Sequence, residues 1–323
     1  MRVLKNALGV TGVTSLLLRQ RGSPLILMYH GVTALACDER QNWCGKHVPL
    51  ELFRDQLRIL RRHRQVIPLQ EMIEGLRSGD KLYNTVAITF DDGYENNYSN
   101  AARILSDYQL PATFFLTTGL IGTDQWMWTD QVENMFATTL ATSVAIDGIV
   151  QPLIFHSLSE RRVAVRTVKQ YLKKQSMERC LELLASIKHL LRVSESLPTG
   201  DYKFMDWGQV KKLVNAGFEI GAHTVNHPIL SRITLDIAKE EILASRDRII
   251  AETGSCSATF CYPNGKAEDF TPEISDFCQG IFRGALSTKR GPARSSELYE
   301  LRRLGIDSET SSSDISWMLL LEN

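Results

Sequence analysis

Val86-Ala-Ile-Thr-Phe90-Asp91-Asp92-Gly93 is an apolar, β-branched run that stops at two adjacent carboxylates and a glycine. Such a run reads as a buried strand. Successive side chains on a strand point to opposite faces, so Asp91 and Asp92 can serve one site only where the strand breaks into a turn. Gly93 supplies the permissive backbone for that break. Carboxylates at the C-terminal edge of a strand stand where α/β folds place their chemistry. One Asp there can bind a metal while the other handles protons. Taken alone, Asp-Asp-Gly is equally an ordinary turn or helix cap.

A second stretch decides between those readings. Phe218-Glu-Ile-Gly-Ala-His223-Thr-Val-Asn-His227 is followed by Pro228. A short apolar strand runs into His223, and Pro228 disfavours the α conformation at His227, which places both histidines on a loop after the strand. Four residues apart on such a loop, two imidazoles can converge on one ion. Two His and one carboxylate with open coordination positions form a catalytic rather than a structural donor set.

Working outward, strands are expected at 24–29, 86–90, 112–117, 218–222, 258–262, 281–286 and 301–306. Helices are expected near 50–63, 98–108, 235–252 and from Pro272 to Gly280. Phe53, Leu57 and Leu60 recur at helical spacing in the first of these. Gly254 closes the third, and Thr271-Pro272 opens the fourth. Alternation of this kind argues for parallel strands joined by crossover helices. Residues 124–206 break the rhythm. Ser157-Leu-Ser-Glu160 is a capping box, and from Ser157 to Val193 nine Lys/Arg face three Glu. We read a mainly helical insertion leaning over the mouth of the site. Its charge is by default a solvated face; the sharper reading is contact with an anionic partner, such as a lipid-diphosphate carrier or the membrane surface.

Whole-chain properties exclude little. The 323 residues carry 37 Lys+Arg against 37 Asp+Glu, so no net field favours nucleic acid. Six cysteines without a Cys-x-x-Cys pair read as free thiols of a reducing compartment. Residues 1–22 hold Arg2 and Lys5, an apolar stretch Ala7–Leu18, then Arg19 and Arg21. A membrane span needs about 20 apolar residues, and this run falls short. No small-x-small cleavage site follows it. An interfacial anchor or a helix packed on the domain remain. The expectation is a cytoplasmic protein touching the inner membrane face, with a periplasmic location left open.

Phe90-Asp91-Asp92-Gly93 together with His223-Thr-Val-Asn-His227 resembles the polysaccharide deacetylase family (NodB homology, carbohydrate esterase 4). Leu25-Ile-Leu-Met-Tyr-His-Gly-Val32, Phe260-Cys-Tyr-Pro-Asn-Gly265 and Leu301-Arg-Arg-Leu-Gly-Ile306 resemble segments of its exopolysaccharide-modifying branch. The likeness spans residues 24–307, and the first two motifs carry its specificity. It implies an irregular, incomplete (β/α) barrel of about seven strands, residues 23–323, interrupted by the insertion.

The resemblance also implies roles. Asp92, His223 and His227 would hold one divalent metal, zinc first, with cobalt, nickel or manganese as alternatives. Asp91 would be the general base toward a metal-activated water. The last histidine in the chain is His227, so the C-terminal Leu-x-His segment that supplies an acid in many members has no counterpart. His30 of the Met-Tyr-His segment takes that role in the exopolysaccharide branch. Arg303, with Arg302 as the less favoured choice, would replace the Arg that orients the base. Tyr262 would line the site and offer its backbone N–H to an oxyanion. The implied substrate is an N-acetylated amino sugar in a surface glycan or a lipid-linked precursor. Another amide or an O-acetyl ester, or a glycan-binding protein without catalysis, are the alternatives.

Overall fold

The computed structural model describes residues 22–34, 42–255 and 258–321. The N-terminal segment read as an anchor (residues 1–22) lies, up to residue 21, outside the described residues, as do Cys37 and Cys256. Among the described residues no helix is long and apolar enough to cross a membrane.

The main strands are β1 (Leu25–Tyr29), β2 (Thr85–Phe90), β3 (Thr113–Leu116), β4 (Glu219–Ala222), β5 (Thr259–Cys261), β6 (Gly284–Leu286) and β7 (Leu304–Gly305). They pair in the order β6-β5-β4-β3-β2-β1-β7, every pair parallel, with a two-residue strand, Gln65–Val66, added beside the start of β2. The sheet curls into an incomplete barrel. Its open side, between β6 and β7, is bridged by Leu286 with Leu301.

Strand alternation sorts the side chains into two layers. Ile26, Ala87, Phe115, Cys261 and Leu286 face inward and form one cluster, closed from below by Leu69, Met72, Ile73 and Leu76 of helix α2 (Leu69–Ser78). Leu25, Leu27, Val86, Ile88, Phe90 and Phe114 face outward and pack under helices, among them α1 (Leu50–His63), which buries Phe53, Leu57 and Leu60. β2 therefore reads as a continuous apolar run because both of its faces are covered. Burying each such side chain contributes about 1.5–3 kcal/mol. Gly221 illustrates the inner crowding: a Cβ there would lie 2.3 Å from the Phe115 ring.

After β2 a π-helical turn (Asn97–Ala102) leads into α3 (Arg103–Asp107). Between β3 and β4 the chain forms α4 (Trp128–Thr138), a short antiparallel hairpin (Ser143–Val144 with Leu153–Ile154), α5 (Leu158–Leu172), α6 (Met177–Leu190) and α7 (Trp207–Asn215). α5 opens with the expected capping box: the Ser157 hydroxyl accepts from the Glu160 N–H and the Glu160 carboxylate accepts from the Ser157 N–H. α8 (Leu235–Thr253) ends at Gly254 in the left-handed conformation, φ 68°. α9 (Pro272–Gln279) carries its proline in the first turn. Among the described residues four thiols are free: Cys180, Cys261 and Cys278 are buried and Cys44 is exposed.

α4 binds the insertion back onto the barrel through two buried carboxylates. Asp130 accepts from Lys46 (2.5 Å) and from the Tyr94 hydroxyl (2.6 Å). Glu133 accepts from Lys169 (3.2 Å), the Tyr202 hydroxyl (2.7 Å) and the Trp43 N–H (2.6 Å). Burial alone would raise the Glu133 carboxyl, but the Lys169 charge and hydrogen bonds from Cys44, Tyr202 and Trp43 outweigh it and hold it down at about 2. A depressed carboxyl stabilises the fold above its unfolded value and loses that contribution as pH falls through the folded value. The fold is therefore expected to lose about 3 kcal/mol of unfolding free energy through Glu133 between pH 5 and pH 2. Glu133→Gln should remove that acid-sensitive part, as read by denaturant titration at both pH values.

Candidate active site

The inward positions of β2 are Ala87, Thr89 and then Asp91. The last ladder residue, Phe90, points outward, and Asp91 continues the inner face into the barrel mouth. Its N–H still donates to the Tyr29 carbonyl (2.9 Å). The strand breaks at Asp92, whose φ is 76°, with Gly93 following at φ 91°. That reversal swings the second carboxylate back to the same mouth. At Gly93 the glycine is required twice over, because a Cβ would also lie 2.9 Å from Ile121 Cδ1.

Asp91 and Asp92 are both 3% exposed, yet their partners differ. The Arg303 guanidinium donates to both Asp91 oxygens (2.8 and 2.7 Å), a bidentate fork. Arg303 is itself 1% exposed. Its Nε donates to the Ser287 carbonyl (2.9 Å), and its remaining N–H groups reach the Thr89 hydroxyl (3.2 Å) and the Cys261 sulfur (2.9 Å). Burial pushes the Asp91 carboxyl up; the Arg303 charge and hydrogen bonds outweigh this and keep it below the usual carboxylate value. Arg302 points the other way and forks onto Glu297 (2.7 Å twice). Adjacent residues approaching β7 face opposite sides, and Leu301 and Arg303 share the inner one.

Asp92 Oδ1 lies 3.5 Å from His223 Nε2 and 3.5 Å from His227 Nε2. The three potential ligand atoms fall within 4.8 Å of one another. That spacing is too long for hydrogen bonds. It matches instead the edge of a tetrahedron with bonds of about 2.1 Å, roughly 3.4 Å. His223 Nδ1 is 2.7 Å from the Cys261 carbonyl. A carbonyl only accepts, so Nδ1 carries the hydrogen and Nε2 is the nitrogen turned to the ion position, an orientation typical of metal-ligating histidine. Against burial, Cys261, Asp92 and Asp91 hold the ring well above its ordinary value, so an ion there would displace the Nε2 proton. The loop is bent to deliver His227, with φ 65° at Thr224 and 55° at His227. His227 Nδ1 is buried without a hydrogen-bond partner, and burial pushes the ring down to about 3, so it stays neutral. These residues fit a divalent ion. Asp91, His223 and Cys261 also approach one another, but Asp91 and Cys261 are turned to the Arg303 guanidinium, so that group is a hydrogen-bond network.

His30 stands at the exit of β1 and lines the same cavity of about 370 Å³ as Asp91, Asp92, His223 and His227. Burial lowers its pKa, opposed by the charges of Asp92 and Asp91. Gly31 follows it because His47 Nδ1 would sit only 2.2 Å from a Cβ. A larger groove of about 1060 Å³ lies behind the histidine loop, meeting it at Asn226 and Pro228, and contains none of these groups.

One expected site residue is elsewhere. The Tyr262 N–H donates to the Leu286 carbonyl (3.0 Å), so it is not free for an oxyanion. Its side chain is 1% exposed, stacks on Phe270 at 4.0 Å and donates through its hydroxyl to the Tyr299 carbonyl (2.9 Å). The reason is alternation: Cys261 faces inward, so Tyr262 faces the outer layer. The same Tyr-Pro-Asn-Gly turn instead brings Asn264 to the cavity, at φ 59°. Sequence reasoning missed this residue, and also Lys46, Lys169 and Lys173, all in the cavity wall. A signal existed for the last two. Lys169 and Lys173 are four apart, next to the buried Val168 and Leu172, so one face of α5 carries both.

The architecture and site define an incomplete (β/α) barrel with a two-histidine, one-carboxylate cluster and a clamped second carboxylate at its C-terminal mouth. The chain belongs to the polysaccharide deacetylase family, whose sequence profile matches residues 78–145 and 162–278. His30 and Arg303 lie outside those stretches, so their placement rests on the geometry. The poly-β-1,6-N-acetyl-D-glucosamine N-deacetylase of Staphylococcus aureus is 33% identical over 83 residues, 25% of this chain. The match spans 29% of that relative's length. The fold is similar to the Streptococcus pyogenes deacetylase PplD in complex with acetate (TM-score 0.61, 19% identity, 93% of this chain and 99% of that one). It is also similar to IcaB from Ammonifex degensii (TM-score 0.60, 15% identity, 93% and 98%).

Replacing a ligand tests the cluster directly. His223→Ala and His227→Ala are each expected to weaken metal binding by about a hundredfold or more, since losing even an outer partner of a ligand costs about 10–100-fold. The check is metal content per chain after dialysis against a weak chelator. Retention of one tightly bound ion by both variants would sink the assignment.

Proposed function

We propose that this protein is a metal-dependent N-deacetylase that removes acetyl groups from an amino sugar in a surface glycan or its precursor. The observation that carries the reading is the pairing, in one cavity, of a carboxylate held ionised by Arg303 with the Asp92, His223 and His227 donor set. When bound there, a divalent ion supplies Lewis acidity, which polarises an amide carbonyl and acidifies water. The chain's own residues supply the proton handling. Asp91 accepts a proton from water as its oxygen adds to the acetyl carbon. His30 faces the same space and delivers a proton to the amine nitrogen as the C–N bond breaks, leaving acetate and a free amine. Arg303 keeps Asp91 in the basic form and fixes its oxygens, while the Cys261 carbonyl fixes the His223 ring.

The test is acetate release from N-acetylated oligosaccharides and lipid-linked amino sugars, after chelation and after restoring zinc, cobalt, nickel or manganese. Release should cease with the chelator and return with the ion. Preferential release from O-acetyl esters would replace the amide with an ester as substrate. Silence with one ion bound per chain would count for a glycan-binding role.

A further inference from the structure

Three lysines reach the catalytic cavity from separate parts of the chain: Lys46 after the first barrel strand, and Lys169 and Lys173 from α5 and the turn that caps it. Two of them are neutralised by the buried carboxylates of α4. Lys46 pairs with Asp130, and Lys169 with Glu133 while also approaching the Cys44 sulfur at 3.1 Å. Lys173 differs. Its ammonium donates to the Asn264 side-chain oxygen, a neutral acceptor. The other end of that amide donates to Asp269, which also takes the Lys266 N–H (2.9 Å). Asn264 is thereby locked in one orientation, and it holds Lys173 at the wall without neutralising it. Burial and the nearby Lys46 charge push Lys173 down to about 8, against an opposing pull from the Asp269 carboxylate on the far side of the Asn264 amide.

We propose that the cavity takes an N-acetylated amino sugar bearing a phosphate ester, with Lys173 as the group that selects for the phosphate and Lys46 and Lys169 flanking it. The position of the acetyl group rests on the deacetylase reading; the phosphate does not. Lysine ammonium groups are compact point charges. Lys169 and Lys173 from one face of α5 and Lys46 from after β1 can each donate to an oxygen of a phosphate as point charges. Size points the same way. A cavity of about 370 Å³ is near the small end for ligand sites, roughly 300–1000 Å³. One sugar ring with a substituent fits such a volume, and we place the phosphate on the same residue as the acetamido group. A lipid-linked and a nucleotide-linked sugar share this chemistry.

The experiment is titration calorimetry on the full chain with its metal. The probes are N-acetylglucosamine, N-acetylglucosamine 1-phosphate, and the same sugar linked to a nucleoside diphosphate or a short prenyl diphosphate. The readout is the affinity ratio of the 1-phosphate to the neutral sugar. The wild type is expected to prefer the phosphate by roughly tenfold or more, and the preference should shrink with added salt. Lys173→Met keeps the aliphatic stem and should bring the ratio to about one, while Lys173→Arg retains most of it. The two linked probes then distinguish a lipid from a nucleotide source by which binds tighter. A wild-type ratio near one, or a ratio unmoved in Lys173→Met, overturns the proposal. If Lys173→Met does not fold, the wild-type ratio and its salt dependence decide. A protein that prefers the phosphorylated sugar but releases no acetate would refute the deacetylase reading and leave this one standing.

Discussion

Asp91→Asn is expected to lower acetyl release by about 10²–10⁴-fold, the usual contribution of a positioned general base, while one metal ion remains bound per chain. Asn keeps the shape and an oxygen for one arm of the Arg303 fork but cannot take a proton. The proposed ligand set Asp92, His223 and His227 would be untouched, because Asp91 is turned to Arg303. The substitution also leaves a buried guanidinium without its counter-charge. Breaking such a pair costs about 3–5 kcal/mol, so the assay belongs well below the variant's own melting temperature. A variant that still binds metal, stays folded and turns over normally would remove Asp91 from the chemistry. Loss of metal together with activity would instead make Asp91 a ligand.

Arg303→Met should produce the second large effect, in both stability and pH dependence. A buried carboxylate without its partner is expected to cost about 3–5 kcal/mol at neutral pH, measurable by denaturant unfolding. The sign reverses with pH. In the wild type, Asp91 lies below its ordinary value, so the pair contributes above the unfolded pKa and its contribution fades as pH falls through the folded one. Without Arg303 only the upward push of burial remains, and protonation then favours the folded state. The variant should therefore become less handicapped as pH is lowered. Because the base acts as a carboxylate, the acid limb of the pH–rate profile should move to higher pH. Arg303→Lys, which keeps charge but not the fork, should fall between. An acid limb that stays in place in Arg303→Met would show that Arg303 does not set the base.

The two predictions differ in how readily the residues behind them can be seen in the chain. Asp91, Asp92, His223 and His227 are each announced by a strand running into a loop, and strand ends are local features. The seven strands and most of the helices around them were legible for the same reason: apolar periodicity, the Ser157–Glu160 capping box, Gly254 and Pro272 all act within a few residues; α2, which closes the inner core, was not read. Arg303 was only half legible. Its neighbour Arg302 has the same chemistry, and what separates them is which face of the chain looks inward. Leu301, two residues before, carried that information. Tyr262 failed for the mirror-image reason: the ladder runs one residue beyond Cys261, turning Tyr262 outward and consuming its N–H.

The lysines of the cavity were legible only in part. Lys173 meets Asn264, 91 residues away in sequence, and Lys46 meets Asp130 at a separation of 84. α5 shows in its own sequence that Lys169 and Lys173 share a face, but not what that face covers. By itself, then, the sequence determined the alternation of parallel strands and helices, the strand ends that carry the acids and histidines, and the helical character of the insertion, because hydrogen-bond periodicity and turn chemistry are short-range; the incomplete barrel was implied by the family resemblance. Only the tertiary structure decided that Arg303 clamps Asp91, that Tyr262 belongs to the core, and that the insertion puts Lys173 into the cavity wall against the neutral Asn264 amide. Those outcomes depend on which distant segments share a buried space, where a charge must find a partner from whatever the fold places beside it.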